Sequence, residues 1–358
     1  MPNDAPFALI LAGGSGTRFW PVSRNARPKQ LLNLFDDNPL LEKTVDRLEG
    51  LVPKENILIL TNVDQEAGVR ATLKDLPAEN IVAEPAKRDT APALALAVGW
   101  VAKRNPKGVM MVLPADHLIN DEASFQAVMR NACAAAGTTE ALVTVGLKPS
   151  WPCPSYGYIE RAGEADLPEA SCDMPVYEVE RFREKPNPEQ AQAFLDEGTF
   201  SWNAGMFIWS VETVIAELQK HVPELGAFIE EVAQCEDLPA LLSEKFGTLP
   251  KISIDFALME KAQRVLNLEA TFDWDDVGSW ISVAKYLKQD DSKNCANCDL
   301  TQIRANNNII YSKEGSRVAL LGVDDLIVVL TGDAILIAKR EEADDIKKLV
   351  DAVPPEMH

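Results

Sequence analysis

Phe7-Ala8-Leu9-Ile10-Leu11 is an unbroken apolar run that stops at a cluster of glycines, Ala12-Gly13-Gly14-Ser15-Gly16. Such a run reads as a buried β-strand that delivers the chain into a tight turn. Ile57 to Thr61 and Val109 to Leu113 repeat the pattern, with helical stretches from Leu40 to Leu48 and from Thr90 to Lys103 between them. The second of these helices opens on a capping residue, Asp89 or Thr90, carries Pro92 in its first turn and is rich in alanine. Strands alternating with helices predict an α/β fold, a sheet with many parallel strands covered by helices on both faces.

From Glu140 onward the pattern loosens. Ala141 to Leu147, Tyr156 to Arg161, Val176 to Glu184 and Met206 to Ser210 read as strands. Pro188 to Glu197, Glu212 to Val222, Leu225 to Cys235 and Ser279 to Leu287 read as helices. The tail differs again. Ile303 to Ala305, Asn308 to Tyr311, Val318 to Leu321, Leu326 to Leu330 and Ala334 to Ala338 are short β segments. Turn formers such as Asn306-Asn307, Glu314-Gly315 and Gly332-Asp333 separate them, which suits a small sandwich, barrel or solenoid. Glu341 to Val353 has the spacing of a final amphipathic helix, and the polar, aperiodic Gln289 to Asp299 reads as a linker. The expected division of the 358 residues is a large domain over 1–288 and a small β domain with a terminal helix over 289–358.

The formal net charge of -20 argues against a nucleic-acid partner, which would draw a basic face. It also sets a condition. If the ligands are phosphates, their charge must be met locally, by a metal ion, backbone N–H groups and a few placed cations. No stretch approaches the roughly 20 apolar residues of a membrane span, and no leader pattern is visible at the N-terminus. Six cysteines are sparse for a disulfide scaffold, so a reduced, cytoplasmic protein is expected. Cys295 and Cys298 form one Cys-x-x-Cys without a second pair or nearby histidines, and read as loop thiols rather than a zinc site.

The glycine turn continues as Gly16-Thr17-Arg18. Glycines let backbone N–H groups approach a phosphate closely, and Ser15, Thr17 and Arg18 add donors. A strand-to-helix turn with no ligand is the plain alternative. A P-loop would need Gly-Lys-Ser or Gly-Lys-Thr, and a Rossmann fingerprint a glycine where Phe19 stands. Neither fits. The segment runs on to Pro28-Lys29-Gln30, where Lys29 is a compact cation behind a proline.

Leu11-Ala12-Gly13-Gly14-Ser15-Gly16-Thr17-Arg18-Phe19-Trp20-Pro21 followed by Pro28-Lys29-Gln30 resembles the signature of sugar-nucleotide pyrophosphorylases. Phe19 to Arg24 and Gln30 narrow the resemblance to the mannose-1-phosphate guanylyltransferase branch. It extends through Glu84 to Pro92, Leu113 to His117, Tyr156 to Ile159, Phe182 to Pro186, Trp202 to Phe207 and Trp274 to Trp280. The resemblance implies a GT-A-like (Rossmann-like) mixed sheet with helices on both faces. It also implies a small C-terminal β domain similar to a left-handed β-helix. The implied reaction takes GTP and α-mannose 1-phosphate to GDP-mannose and pyrophosphate with Mg²⁺, in a homodimer. Longer relatives carry an added isomerase domain, and no isomerase activity is expected of this chain. A related enzyme with another sugar or base, or an inactive nucleotide-sugar-binding subunit, is the alternative.

Roles follow on the matching residues. Arg18 and Lys29 are expected to hold the triphosphate, and Asp116 and Asp276 to hold the metal. Lys185 is expected to meet the phosphate of the sugar. Leu11, Ala12, Gly13, Gly14, Ser15, Gly16 and Thr17 form the expected nucleotide cradle. Glu84, or backbone near Pro85 and Arg88, is the expected reader of the guanine edge, with Asp89 and Thr90 at a helix N-terminus beside it. Glu184 and Asn203 are expected at the sugar hydroxyls, with Gly157 leaving room for the ring. Asp116 alone would pass for a turn residue, and Glu184 with Lys185 for a solvated charge run. His117, Trp202 and Trp209 read as structural.

Overall fold

The computed structural model describes residues 5–168 and 172–358. Nine strands form the large sheet: β1 Phe7–Leu11, β2 Ile57–Asn62, β3 Ile81–Glu84, β4 Val109–Pro114, β5 Leu142–Leu147, β6 Tyr158–Glu164, β7 Val176–Arg183, β8 Phe200–Ser210 and β9 Val265–Glu269. Their order is β3-β2-β1-β4-β8-β5-β9-β7-β6. The β1, β2, β3 and β4 pairings are parallel, and β8 runs antiparallel between β4 and β5. The sheet is therefore mixed.

Alternation along each strand sends side chains to opposite faces. Ala8 and Ile10 of β1 join the core on one face, with α1 Leu40–Asp46, α2 Glu66–Thr72 and α4 Glu122–Thr138. Phe7 and Leu9 join the other, beneath α3 Thr90–Arg104, α6 Val211–His221, α7 Pro223–Gln234 and α8 Leu238–Lys245. The cap expected for α3 is Asp89, whose carboxylate accepts from the Thr90 N–H at 3.0 Å. A further helix, α5 Pro188–Glu197, starts on an Asn187 capping box.

Two elements differ from expectation in the large domain. The strand expected over Met206 to Ser210 begins at Phe200. Polar Asn203 and Gly205 disguise its first half, and both face the cleft described below. The helix expected over Ser279 to Leu287 is only the short α9, Trp280–Ala284.

In the tail the chain alternates between two small sheets. Strands β11 Cys295–Ala296, β13 Ile309–Ser312 and β15 Leu326–Leu330 stack in parallel in one. Strands β12 Leu300–Ile303 and β14 Val318–Leu321 stack in parallel in the other. This is β-helix geometry, flanked by β10 Lys288–Gln289 and β16 Ile335–Lys339. A buried amide ladder braces one corner. The Asn308 Nδ2 donates to Asn294 Oδ1 at 2.8 Å, and the Leu326 N–H donates to Asn308 Oδ1 at 2.9 Å.

The expected linker is thus partly paired strand, and Cys295 is a buried strand residue rather than a loop thiol. The strand expected from Ile303 to Ala305 is displaced to β12. The expected final helix is a 3-10 stretch, Arg340–Asp345, followed by α10 Ile346–Val350. Its buried anchors Ala343 and Ile346 are three residues apart, the period of a 3-10 turn.

One core cluster belongs to both parts of the chain. Phe19, Trp20, Val22, Leu32 and Leu34, from the segment after the glycine turn, pack with Trp280 of α9. Ile309, Tyr311, Ile327 and Val329 of the β-helix, and Ala343, Ile346 and Val350 of the tail, complete it. Among the described residues, no helix is long and apolar enough to cross a membrane.

Candidate active site

The site is built at the carboxyl ends of β1 and β4, where open α/β sheets place ligands. The turn after β1 is gripped by its carbonyls. Gln30 Nε2 donates to the Ala12 carbonyl at 2.8 Å and Thr61 Oγ1 to the same oxygen at 3.1 Å. Asn62 Nδ2 donates to the Gly13 carbonyl at 3.3 Å and Gln65 Nε2 to the Gly14 carbonyl at 3.0 Å. A trans peptide points its N–H opposite its C=O. With carbonyls 12 to 14 turned inward, the N–H groups of Gly13, Gly14 and Ser15 turn outward, which makes an anion-binding concavity.

Gly16 is required where it stands. Its φ is +60°, and an added Cβ would lie 2.6 Å from the Lys29 backbone nitrogen. Gly16→Ala is expected to lower stability by about 1–3 kcal/mol, from left-handed strain plus the clash, read as a lower urea midpoint with an unchanged slope.

Lys29 is buried against the two acidic segments. Its Nζ lies 2.6 Å from Asp116 Oδ2 and donates to the carbonyls of Asp276 at 2.6 Å and Val277 at 3.2 Å. The segments are also sewn together by backbone: Leu118 and Asp275 exchange N–H···O bonds of 2.9 and 3.0 Å. Asp273 accepts from the N–H groups of Asn120 at 3.0 Å and Asp121 at 2.7 Å. Asp275 is a buried brace, accepting from the Val277 N–H at 2.8 Å and from Lys285 Nζ at 2.8 Å. The neighbouring Asp276 instead turns into the cleft, where Tyr156 Oη donates to its Oδ1 at 2.6 Å.

The electrostatics of the two acids differ. Burial opposes ionisation of Asp116, but Lys29, the neighbouring His117 and hydrogen bonds together outweigh it, and the pKa lies below the usual carboxylate range. Burial raises that of Asp276, with the Tyr156 hydrogen bond and Lys29 working against the rise. His117 is held as a neutral ring by burial, its pKa pushed down to about 4, while Trp274 Nε1 donates to its Nδ1 at 3.1 Å. The structural reading of His117 fits this arrangement.

A cleft of about 360 Å³ collects Leu11, Thr90, Gly157, Glu184, Lys185, Asn203 and Asp276 from the expected residues. Tyr156, Asp255 and Trp274 also line it, and sequence reasoning had not singled out any of the three. Only Tyr156 and Trp274 stood inside quoted motifs. Trp202 packs edge-on against Tyr156, with ring centroids 5.1 Å apart, and Trp209 is fully buried.

Glu84 stands beside the cradle. A Cβ built on Gly13 would lie 3.7 Å from Glu84 Oε2, and Oε1 is buried with no hydrogen-bond partner. Burial pushes its pKa up to about 8. The other expected residues are more scattered. Pro85 faces a separate groove with Val82 and Trp100, and the Arg88 Nε is buried without an acceptor. Asp89 caps its own helix, and the Thr90 hydroxyl accepts from the Ile254 N–H at 2.8 Å. Arg18 lies against the tail, its Nε 3.4 Å from Asp344 Oδ1. Asp344 is 69% exposed, and such a pair is worth about 0–1 kcal/mol, too little to hold Arg18 against a polyphosphate.

A glycine turn after β1 with outward N–H groups, two acidic segments joined through Lys29 and a polar cleft lined by Asp276 lie at this end of the sheet. Residues 7–293 match the nucleotidyl transferase family, and residues 300–353 match the MannoseP isomerase/GMP-like beta-helix domain. The mannose-1-phosphate guanylyltransferase of Escherichia coli strain K12 is 38% identical over 362 residues, covering 99% of this chain and 74% of that protein. Mannose-1-phosphate guanylyltransferase 2 of Escherichia coli O157:H7 is 36% identical over 359 residues, covering 98% and 74%. A Thermus thermophilus structure described as a mannose-1-phosphate geranyltransferase superposes with a TM-score of 0.86 at 33% identity, covering 97% of this chain and 98% of that one. The chain belongs to the nucleotidyltransferases, and among them to the mannose-1-phosphate guanylyltransferases.

Proposed function

We propose that this cleft transfers a guanylyl group from GTP to α-D-mannose 1-phosphate, giving GDP-mannose and pyrophosphate. The observation that carries the assignment of roles is that Lys29, beside the glycine turn, joins two remote acidic segments, on the Asp116 carboxylate and the Asp276 backbone carbonyl. The attacking phosphate monoester is already largely ionised at pH 7. No general base is needed, and the protein's task is positioning and charge neutralisation.

The donor set fits magnesium. Hard carboxylate oxygens suit it, and one or two of them with substrate phosphates complete its usual shell. Lys29 already meets part of the charge here, bonded to the Asp116 carboxylate and the Asp276 carbonyl, so the metal would share these acids with it. Asp116 and Asp276 would hold Mg²⁺, which when bound neutralises charge shared between the two substrates. The outward N–H groups of Gly13, Gly14 and Ser15 take the phosphates. Arg18, released from Asp344, and Lys29 offset the charge of the leaving pyrophosphate. Glu84 accepts from the guanine N1–H and N2–H₂.

At the far wall, Lys185 meets the sugar phosphate. It is 65% exposed, with its Nζ 2.7 Å from Glu184 Oε1, which leaves it free to turn. Lys185→Ala is expected to raise the KM for mannose 1-phosphate by about tenfold or more, with little change in the KM for GTP. Steady-state kinetics with each substrate varied in turn checks this.

Three further readings accompany the proposal. The catalytic domain spans 1–288 and the β domain 289–358. Exposed Ile303, Leu321, Ile335 and Ile337 on the β-helix, each at least 60% accessible, support a homodimer. A cytoplasmic location suits the free thiols. The deciding assay follows pyrophosphate release from GTP with a panel of sugar 1-phosphates, with and without Mg²⁺. Release with mannose 1-phosphate that needs the metal is expected. No release, or preference for another sugar or base, overturns the assignment.

A further inference from the structure

Asp255 carries none of the roles above, yet its carboxylate opens into the cleft. It begins a one-turn π-helix, Asp255–Met259, of a kind that recurs at functional sites. Ala257, Leu258 and Met259 of the same turn are buried, so the core anchors it. The segment is also tied to α3. The Ala91 N–H donates to the Ile252 carbonyl at 3.1 Å, next to the Thr90–Ile254 bond already described. A fixed strap thus crosses from the nucleotide side of the cleft to the sugar side.

At its far end the strap meets a cluster of acceptors. Asn203 Nδ2 donates to Asp255 Oδ1 at 3.3 Å. Asn203 is itself held, its N–H on the Gly157 carbonyl at 2.8 Å and its Oδ1 under the Gly205 N–H at 3.0 Å. Glu184 closes the group. A Cβ on Gly157 would lie 2.7 Å from Glu184 Oε2 and 3.4 Å from Asn203 Cβ. Two carboxylates therefore face one small space, and the nearby cation Lys185 is bonded to Glu184. Burial, then the Glu184 charge, pushes the Asp255 pKa up to about 6.

The two carboxylates share a single ammonium, Lys185, which is bonded to Glu184, and the accepting oxygens left over suit neutral donors such as adjacent hydroxyls on a sugar ring. We propose that Asp255 is a specificity-determining residue that accepts a hydrogen bond from a ring hydroxyl of the sugar phosphate, across the ring from Glu184. This rests on the sugar 1-phosphate reading of the cleft.

The test is a cycle of Asp255→Ala and Asp255→Leu, neither of which keeps an accepting oxygen, against mannose 1-phosphate and its monodeoxy analogues. Hydrogen bonds to charged groups are strong enough that the KM for mannose 1-phosphate is expected to rise by about tenfold or more, with the KM for GTP unchanged. Wild type should lose a similar factor with one deoxy analogue, and Asp255→Ala should lose nothing further with that same analogue. An unchanged KM overturns the proposal. So does a variant that loses the same factor as wild type for every missing hydroxyl, since the residue then merely braces Asn203. If Asp255→Ala melts, Asp255→Leu, close in size and without an acceptor, carries the cycle. A wild-type enzyme that uses a different sugar 1-phosphate instead sinks the mannose reading, and the cycle is run on that sugar. An enzyme that uses none sinks both.

Discussion

Asp276→Asn is expected to cut turnover by on the order of a thousandfold while leaving the melting temperature close to wild type. Removing one fixed charge-stabilising group at a reacting phosphate has effects of this size. The fold should survive because the amide oxygen still accepts from Tyr156 Oη, the bond that now holds Asp276 Oδ1 at 2.6 Å. What the variant lacks is the negative charge that Asp276 presents to the cleft. The adjacent acid makes the control. Asp275 is buried and tied to Lys285 Nζ and the Val277 N–H. Asp275→Asn should therefore cost about 1–3 kcal/mol of stability through a weakened buried network. Turnover measured at saturating substrates, beside a thermal melt, separates the two. Near wild-type turnover in Asp276→Asn would remove that residue from the metal site.

The second large effect concerns Glu84. Its carboxyl is protonated in the free protein below about pH 8, because burial disfavours the charge. Guanine offers two donors on one edge and needs an ionised acceptor. If Glu84 reads guanine, as proposed above, binding should strip a proton from it, and GTP affinity should rise with pH by up to about tenfold per unit until the group is ionised in the free protein. Above that point affinity should level off. Calorimetry in buffers of different ionisation enthalpy should show proton release on binding from about pH 7 to about pH 8. Glu84→Gln should weaken GTP binding by about a hundredfold, since a site built for these donors loses an acceptor. Its binding should also lose the proton release. Proton uptake in wild type, or an unaltered pH profile in the variant, would rule out Glu84 as the guanine reader.

The parts of the site legible in the sequence were those whose chemistry is local. The turn Gly13-Gly14-Ser15-Gly16 announces a close backbone approach wherever it folds. Asp116 at the end of an apolar run announces a carboxylate at a strand's carboxyl end. The rest depended on contacts made across the chain. Thr61, Asn62 and Gln65 hold the glycine turn by its carbonyls, but nothing in β2 or the start of α2 distinguishes them from ordinary polar residues. Asp255 sits one residue from apolar neighbours at helical spacing, and only the π-turn aims it at the cleft. The β8 strand was half hidden because Asn203 and Gly205 in its first half face the cleft. In the tail, turn formers mark most of the short strands, but the coil closure and the 3-10 ending are set by packing against distant side chains.

Phe19 and Trp20 follow the glycine turn directly, yet they are cores of a cluster completed by Tyr311, Ile327, Ile346 and Val350. Trp20 Nε1 even donates to the Met357 carbonyl at 3.0 Å. The tail is therefore the floor on which the segment after the glycine turn rests. Trimming it by limited proteolysis should silence the enzyme, and saturating GTP should in return slow that trimming.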